Sequence, residues 1–178
     1  MSCEITGGRS QTNCKDATPG IQYVYLTNFE NIASTTVTAN KITAITMVSA
    51  SPVHKFYKFM VNRQSSDLKT DVKSSIPNSS INFEQKVNLV FGTISTDTNV
   101  LMNNIARGLV VAIAVDKNGK AWMCGRANGL DLSAGTMETG KAGTDLNGYT
   151  LTLTGEEPAY PIEVDTTVLV TPLVDVAY

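Results

Sequence analysis

The stretch Asn147-Gly148-Tyr149-Thr150-Leu151-Thr152-Leu153-Thr154-Gly155-Glu156-Glu157 decides the fold class. Tyr149, Leu151 and Leu153 fall on one side of an extended chain, and Thr150, Thr152 and Thr154 on the other, with glycine at both ends. Strict alternation of this kind is the pattern of a half-buried β-strand. One face supplies core. The other is an uncharged hydroxyl surface that water or a neighbouring subunit can cover.

The same texture runs outward along the chain. Ile21–Phe29 reads as a strand, with Ile21, Tyr23, Tyr25 and Thr27 on one face and Val24 and Leu26 on the other. Thr35–Ala39 and Lys41–Val48 read as two short strands broken near Asn40, and His54–Arg63 as another. Asp67–Ser75 sets Leu68, Thr70 and Val72 against Asp67, Lys69, Asp71 and Lys73. Opposite charges two apart on one strand face are neighbours, so this is an exposed ladder. Ile76–Ser80 turns the chain, and Ile81–Phe91 returns it as a long strand whose partner's charges discourage stray edge pairing. One helix is expected, capped by Thr96 or Asp97, with Val100, Leu101, Asn104 and Ile105 following at helical spacing, Arg107 in the last turn and Gly108 as the stop. Leu109–Val115 is a nearly continuous apolar strand, and Asn118-Gly119 tips the hairpin that returns through Ala121–Arg126. Leu130–Ala134 is a short strand, and Gly135–Asn147 is expected to be a loop. Ile162–Tyr178 is β-branched, carries Pro172 and has no evident partner, so it reads as an extended arm.

The fold expected is mainly β: an antiparallel sandwich or barrel with one flanking helix and extended terminal arms. The divisions are an arm over 1–20, a domain over 21–158 and a C-terminal extension over 159–178. The 178 residues suffice for one domain, and 42% apolar content suffices for its core. Charged residues make up 17%, below the roughly 25% usual for soluble domains. Twenty-two Thr and 13 Ser fill that gap, a composition suited to lateral packing in an assembly. The net charge of −2 and the absence of a basic run argue against gripped nucleic acid, though a duplex could slide past such a surface. No secretory leader is evident at Met1-Ser2-Cys3-Glu4, and the longest apolar stretch, Leu109–Val115, is far short of the roughly 20 residues that span a bilayer. Three cysteines form no framework of pairs and fit synthesis in a reducing cytoplasm.

Candidate chemistry is sparse. Gly135, Gly140 and Lys141 have phosphate-loop spacing, but Ala142 stands where a Mg²⁺-ligating hydroxyl is required, and no helix can start there. His54 is the one histidine and its neighbours supply no partner for proton transfer. Cys3, Cys14 and Cys124 lack metal spacing, and Cys124 reads as a core thiol. Glu156 and Glu157 point opposite ways on a strand, so they share no substrate, with or without Asp145. Asp116-Lys117-Asn118-Gly119 opens like a calcium loop without the later ligands. Asn78-Ser79-Ser80 is a sequon that reads as a turn. The expectation is therefore a protein that is not an enzyme, with no catalytic, cofactor or metal residues.

Two groups of segments carry a resemblance. The first is Ser2–Arg9 (SCEITGGR), Cys14-Lys15-Asp16 and Gly20–Phe29 (GIQYVYLTNF). The second is Gly135-Thr136, Asp145-Leu146 and Gly148–Glu157. In this layout, over about residues 2–158, the chain resembles the tail tube (major tail) proteins of phages of Bacteroides-type bacteria. The segment Ile162–Tyr178 departs from the shorter members of that family. The resemblance implies a β-sandwich or barrel with a flanking helix, assembled into hexameric rings whose inner strands join into a β-lined channel. Stacked rings would let DNA pass during ejection without specific binding. Partners would be other copies of the chain and other tail proteins, with no membrane and no small-molecule substrate. The place would be the virion, after synthesis in the bacterial host cytoplasm. Other virion ring proteins of the neck or tail terminator, a capsid decoration protein, or a small-ligand- or glycan-binding sandwich are the alternatives.

Overall fold

A computed structural model describes residues 5, 7–9, 17–62, 64–170 and 173–175. In chain order the first strands are β1 (Ile21–Asn28), β2 (Ile32–Thr38), β3 (Lys41–Met47), β4 (Phe56–Met60), β5 (Asp67–Ser75) and β6 (Ser80–Gly92). Helix α1 (Thr96–Ile105) follows, then β7 (Val110–Asp116), β8 (Ala121–Cys124), β9 (Asp131–Glu138), β10 (Gly148–Glu157), β11 (Ile162–Val164) and β12 (Val174–Asp175). They form two sheets, ordered β12-β4-β1-β7-β8-β11-β3-β2 and β5-β6-β10-β9. The smaller sheet is wholly antiparallel. The larger has two parallel pairs, β11 with β3 and β12 with β4. Neither sheet closes on itself, so the architecture is a mainly β sandwich with one helix rather than a barrel.

The stretch quoted first is β10, held between β6 and β9. Tyr149, Leu151 and Leu153 are buried between the sheets with Val24 and Leu26 of β1, Val87, Leu89 and Phe91 of β6, and Met102 and Ile105 of α1. Its glycines are sterically required. A Cβ at Gly148 would overlap the Phe91 carbonyl oxygen, and one at Gly155 the Gly129 carbonyl oxygen. Glycine thus marks two close backbone approaches, one at the first residue of the strand and one inside it.

A second cluster explains why Val110–Val115 is apolar without alternation. Val110, Ala112 and Ala114 face the inter-sheet core, whereas Val111, Ile113 and Val115 pack with Tyr25, Ile42, Phe56, Met123 and Val164. Strand β7 is therefore buried on both faces. Phe56 and Ile42 come from strands near opposite ends of the large sheet, so that sheet curls around this cluster.

Several expectations need correction. Ile162–Val164 is no free arm: β11 lies between β8 and β3, with Val164 1% exposed. Three residues carry too little pattern to announce a strand whose partners are remote in sequence. The expected loop over Gly135–Asn147 begins as strand, since β9 runs on to Glu138 against β10. The helix is capped by Ser95, whose side chain accepts from the Thr98 amide, not by Thr96 or Asp97. It turns Met102 and Ile105 inward and leaves Val100 58% exposed. A register shift between Ile21 and Tyr23 places Ile21 with Val24 and Leu26, on the face opposite to the one alternation gives it. Most of the expected arm over 1–20 lies outside the described residues; within it, the Thr18 amide donates to Asn118 Oδ1 and its carbonyl accepts from Asn118 Nδ2.

Candidate functional site

The residues with possible chemistry are dispersed, and most are engaged in holding turns. Gly135 and Thr136 of the phosphate-loop pattern lie in β9, a strand, so they are not free to cradle an anion. Beyond it, the amides of Lys141 and Ala142 donate to Asp145 Oδ2 at 2.9 and 2.7 Å. These bonds hold the Asp145 carboxyl below its ordinary value, the Ala142 amide contributing most. The amides that would have to cradle an anion are thus engaged by the chain's own carboxylate. Asp116 Oδ1 accepts from the Asn118 and Lys120 amides, and Oδ2 from Trp122 Nε1, so the calcium-like run is a hairpin turn. Ser79, in the sequon, has a positive φ of 49° in the turn between β5 and β6.

Glu156 and Glu157 diverge as alternation requires. Glu156 is exposed; Glu157 is buried and its carboxylate accepts from the amides of Ala127 and Asn128 at 2.9–3.1 Å. Beside it, buried Gln85 accepts from the Gly125 amide and donates to the Ala159 carbonyl. Together they pin the turn between β8 and β9 to the end of the smaller sheet. Cys124 is fully buried; desolvation first, and the Glu157 charge second, push its thiol up, out of reach of thiolate chemistry. Cys3 and Cys14 lie outside the described residues. His54 is half-buried beside Asn28, Asn31 and Tyr57. Among the described residues no three His, Cys, Asp or Glu side chains are grouped to hold a metal, and no helix is long and apolar enough to cross a membrane.

What the fold does present is sheet edge. The smaller sheet ends at β5 and β9, the larger at β12 and β2. β5 is guarded by charge: Lys69 pairs with Asp71 at 3.0 Å, and Glu84 of β6 with Lys73 at 2.9 Å and Lys86 at 2.7 Å. Lys86 and then Lys73 hold the Glu84 carboxyl below its ordinary value. β2, by contrast, reads Ile-Ala-Ser-Thr-Thr-Val-Thr without a charge, and five of its seven residues are exposed. β9 has charge only at its two ends, Asp131 and Glu138, and Leu132 alone is not exposed. Charged side chains are the usual protection of a free edge against pairing; β2 and β9 lack it along their length.

The outer face of the smaller sheet grades from charge to hydroxyl. β5 and β6 carry the ion-pair ladder, whereas on β10 and β9 Thr152 donates to Asn88 Oδ1 and the Ser133 hydroxyl bonds to Thr154 Oγ1 and the Thr152 carbonyl. On the inner side of β9 a mostly apolar groove of about 430 Å³ opens toward α1, lined by Met102, Ala106, Leu132, Met137, Tyr149 and Leu151, with Asn99, Asn103 and Thr136 also on its wall. Sequence reading missed this groove because it closed β9 at Ala134; Met137, two residues beyond Gly135 on the same face, was the signal that the strand continues. No family model, curated protein or solved structure matches this chain.

Proposed function

We propose that this chain is a phage tail tube subunit, a building block of stacked rings around a DNA-ejection channel, and not an enzyme. The paired end segments that resemble that family support the reading. So do the mainly β sandwich with one helix and a sequence that is 17% charged with a net charge of −2. A lumen without a basic lining would not hold DNA by counterion release. The observation that carries the reading is the contrast between edges: β5 is shielded by ion pairs, whereas β2 and β9 are long, exposed and uncharged along their length. A freely diffusing monomer with two such edges would tend to aggregate, whereas a ring subunit places them against its neighbours. Sedimentation velocity and negative-stain microscopy of concentrated protein test this. Rings or tubes of uniform bore are expected; a monomer at every concentration sinks the proposal.

A further inference from the structure

We infer that β9 and the groove behind it receive β2 of another copy, so that each subunit offers one edge and accepts the other. This rests on the assembly reading above and names the surfaces that make it. Four observations favour that occupant. First, among the described residues β9 has hydrogen-bonded neighbours on one side only, at β10, and so has β2, at β3. Backbone pairing of the two would extend the four-stranded sheet by one strand. Second, their lengths match, eight residues against seven.

Third, β2 offers the groove small side chains and one exposed apolar one. An added strand would turn alternate residues toward Met102, Ala106, Leu132 and Met137. Val37 of β2 is 41% exposed in the free subunit and Met137 is 55% exposed, so both lose water on pairing.

Fourth, charge selects β2 over a second β9. An antiparallel β9–β9 pair in central register would set Asp131 against Glu138 twice, and like charges directly opposite destabilise a strand pair. β2 has no charge of its own and carries the Arg126 guanidinium beside it, Nη1 lying 3.4 Å from Thr35 Oγ1. Among the described residues Arg126 forms no ion pair, so it is available to the carboxylates that end β9. A contact between unlike edges is heterologous: repetition closes a ring or extends a filament rather than stopping at two.

Complementation tests this directly. Ser34→Lys with Thr36→Lys blocks β2, and Ala134→Lys with Thr136→Lys blocks β9; all four positions are exposed. Circular dichroism and urea midpoints first establish folding; if a double variant is unfolded, Thr36→Lys or Thr136→Lys alone replaces it. In sedimentation velocity each variant alone is expected to be monomeric. An equimolar mixture should form a one-to-one dimer and stop there, since one copy keeps only β9 and the other only β2. Wild-type protein that assembles while both variants assemble equally well overturns this inference and leaves the assembly reading standing. Monomeric wild-type protein overturns both. Dimers of one variant alone would show pairing of like edges and also overturn it.

Discussion

At the residue scale, the informative side chains hold backbone. Glu157 is the clearest. Its carboxylate accepts the Ala127 and Asn128 amides from inside the fold. Glu157→Leu would leave those donors, part-buried on exposed residues, without their acceptor, at roughly 1–1.5 kcal/mol for each. A loss of about 3 kcal/mol is expected by urea denaturation, and Glu156→Leu, on the exposed side of the same strand, should change stability by less than about 0.5 kcal/mol. Alternation in the sequence reveals that the two glutamates diverge. It could not reveal that the inward one finds amides, because those belong to a turn 29 and 30 residues away. Asp145 makes a prediction about pH. Its carboxyl lies below the ordinary value because the Ala142 and Lys141 amides bond its charged form. The stability it contributes is therefore fully present above the ordinary carboxylate range and is lost as pH falls through the lowered value. Asp145→Asn should flatten the acid limb of a plot of urea midpoint against pH; an unchanged limb would show that these bonds do not survive in solution.

At the scale of elements, the sequence revealed what local pattern encodes. The β5–β6 hairpin, the two-faced β7, the Asn118-Gly119 turn and the alternation of β10 all follow from periods of two and from turn residues. Helix α1 was legible in place but not in orientation. Val100, Leu101 and Ile105 are apolar, yet Met102 and Ile105 form the inward pair because the helix lies against Tyr149, whose hydroxyl reaches the Ser95 carbonyl and Asn99 Oδ1. Which face of a ten-residue helix turns inward is fixed by what it packs on, and that partner is 50 residues downstream. Its N-terminus depends on Ser95, whose Oγ accepts from the Thr98 amide at 3.1 Å. Ser95→Ala should cost about 1 kcal/mol, as at other helix N-caps. Because the helix forms one wall of the groove behind β9, the same variant should also weaken assembly. A destabilisation with unaltered assembly would separate the helix from the interface.

At the scale of the molecule, the C-terminal segment has the opposite role to the one its sequence suggests. A segment without a local partner reads as an arm, but strand order is a property of the whole fold. Among the described residues β11 is the sole hydrogen-bonded link in the large sheet between β8 and the β2–β3 hairpin. It pairs antiparallel with Trp122 and its neighbours on one side and parallel with Lys41 and Ile42 on the other, and the Lys41–Glu163 ion pair at 2.9 Å crosses the second junction. Removing it would detach β3, open the cluster around Ile42, Phe56 and Met123 to water, and release the β2 edge from the body. Deleting residues 162–178 should therefore abolish the cooperative urea transition instead of yielding a folded subunit that cannot assemble. Val164→Asp, which puts an unpaired charge at a position 1% exposed, should do most of the same damage with the backbone intact. The two variants together distinguish a core strand from an assembly arm. A truncated chain that keeps its sharp transition and loses only its rings would mean that β11 is an arm after all, and that the curl of the large sheet persists without the strand joining β8 to β3.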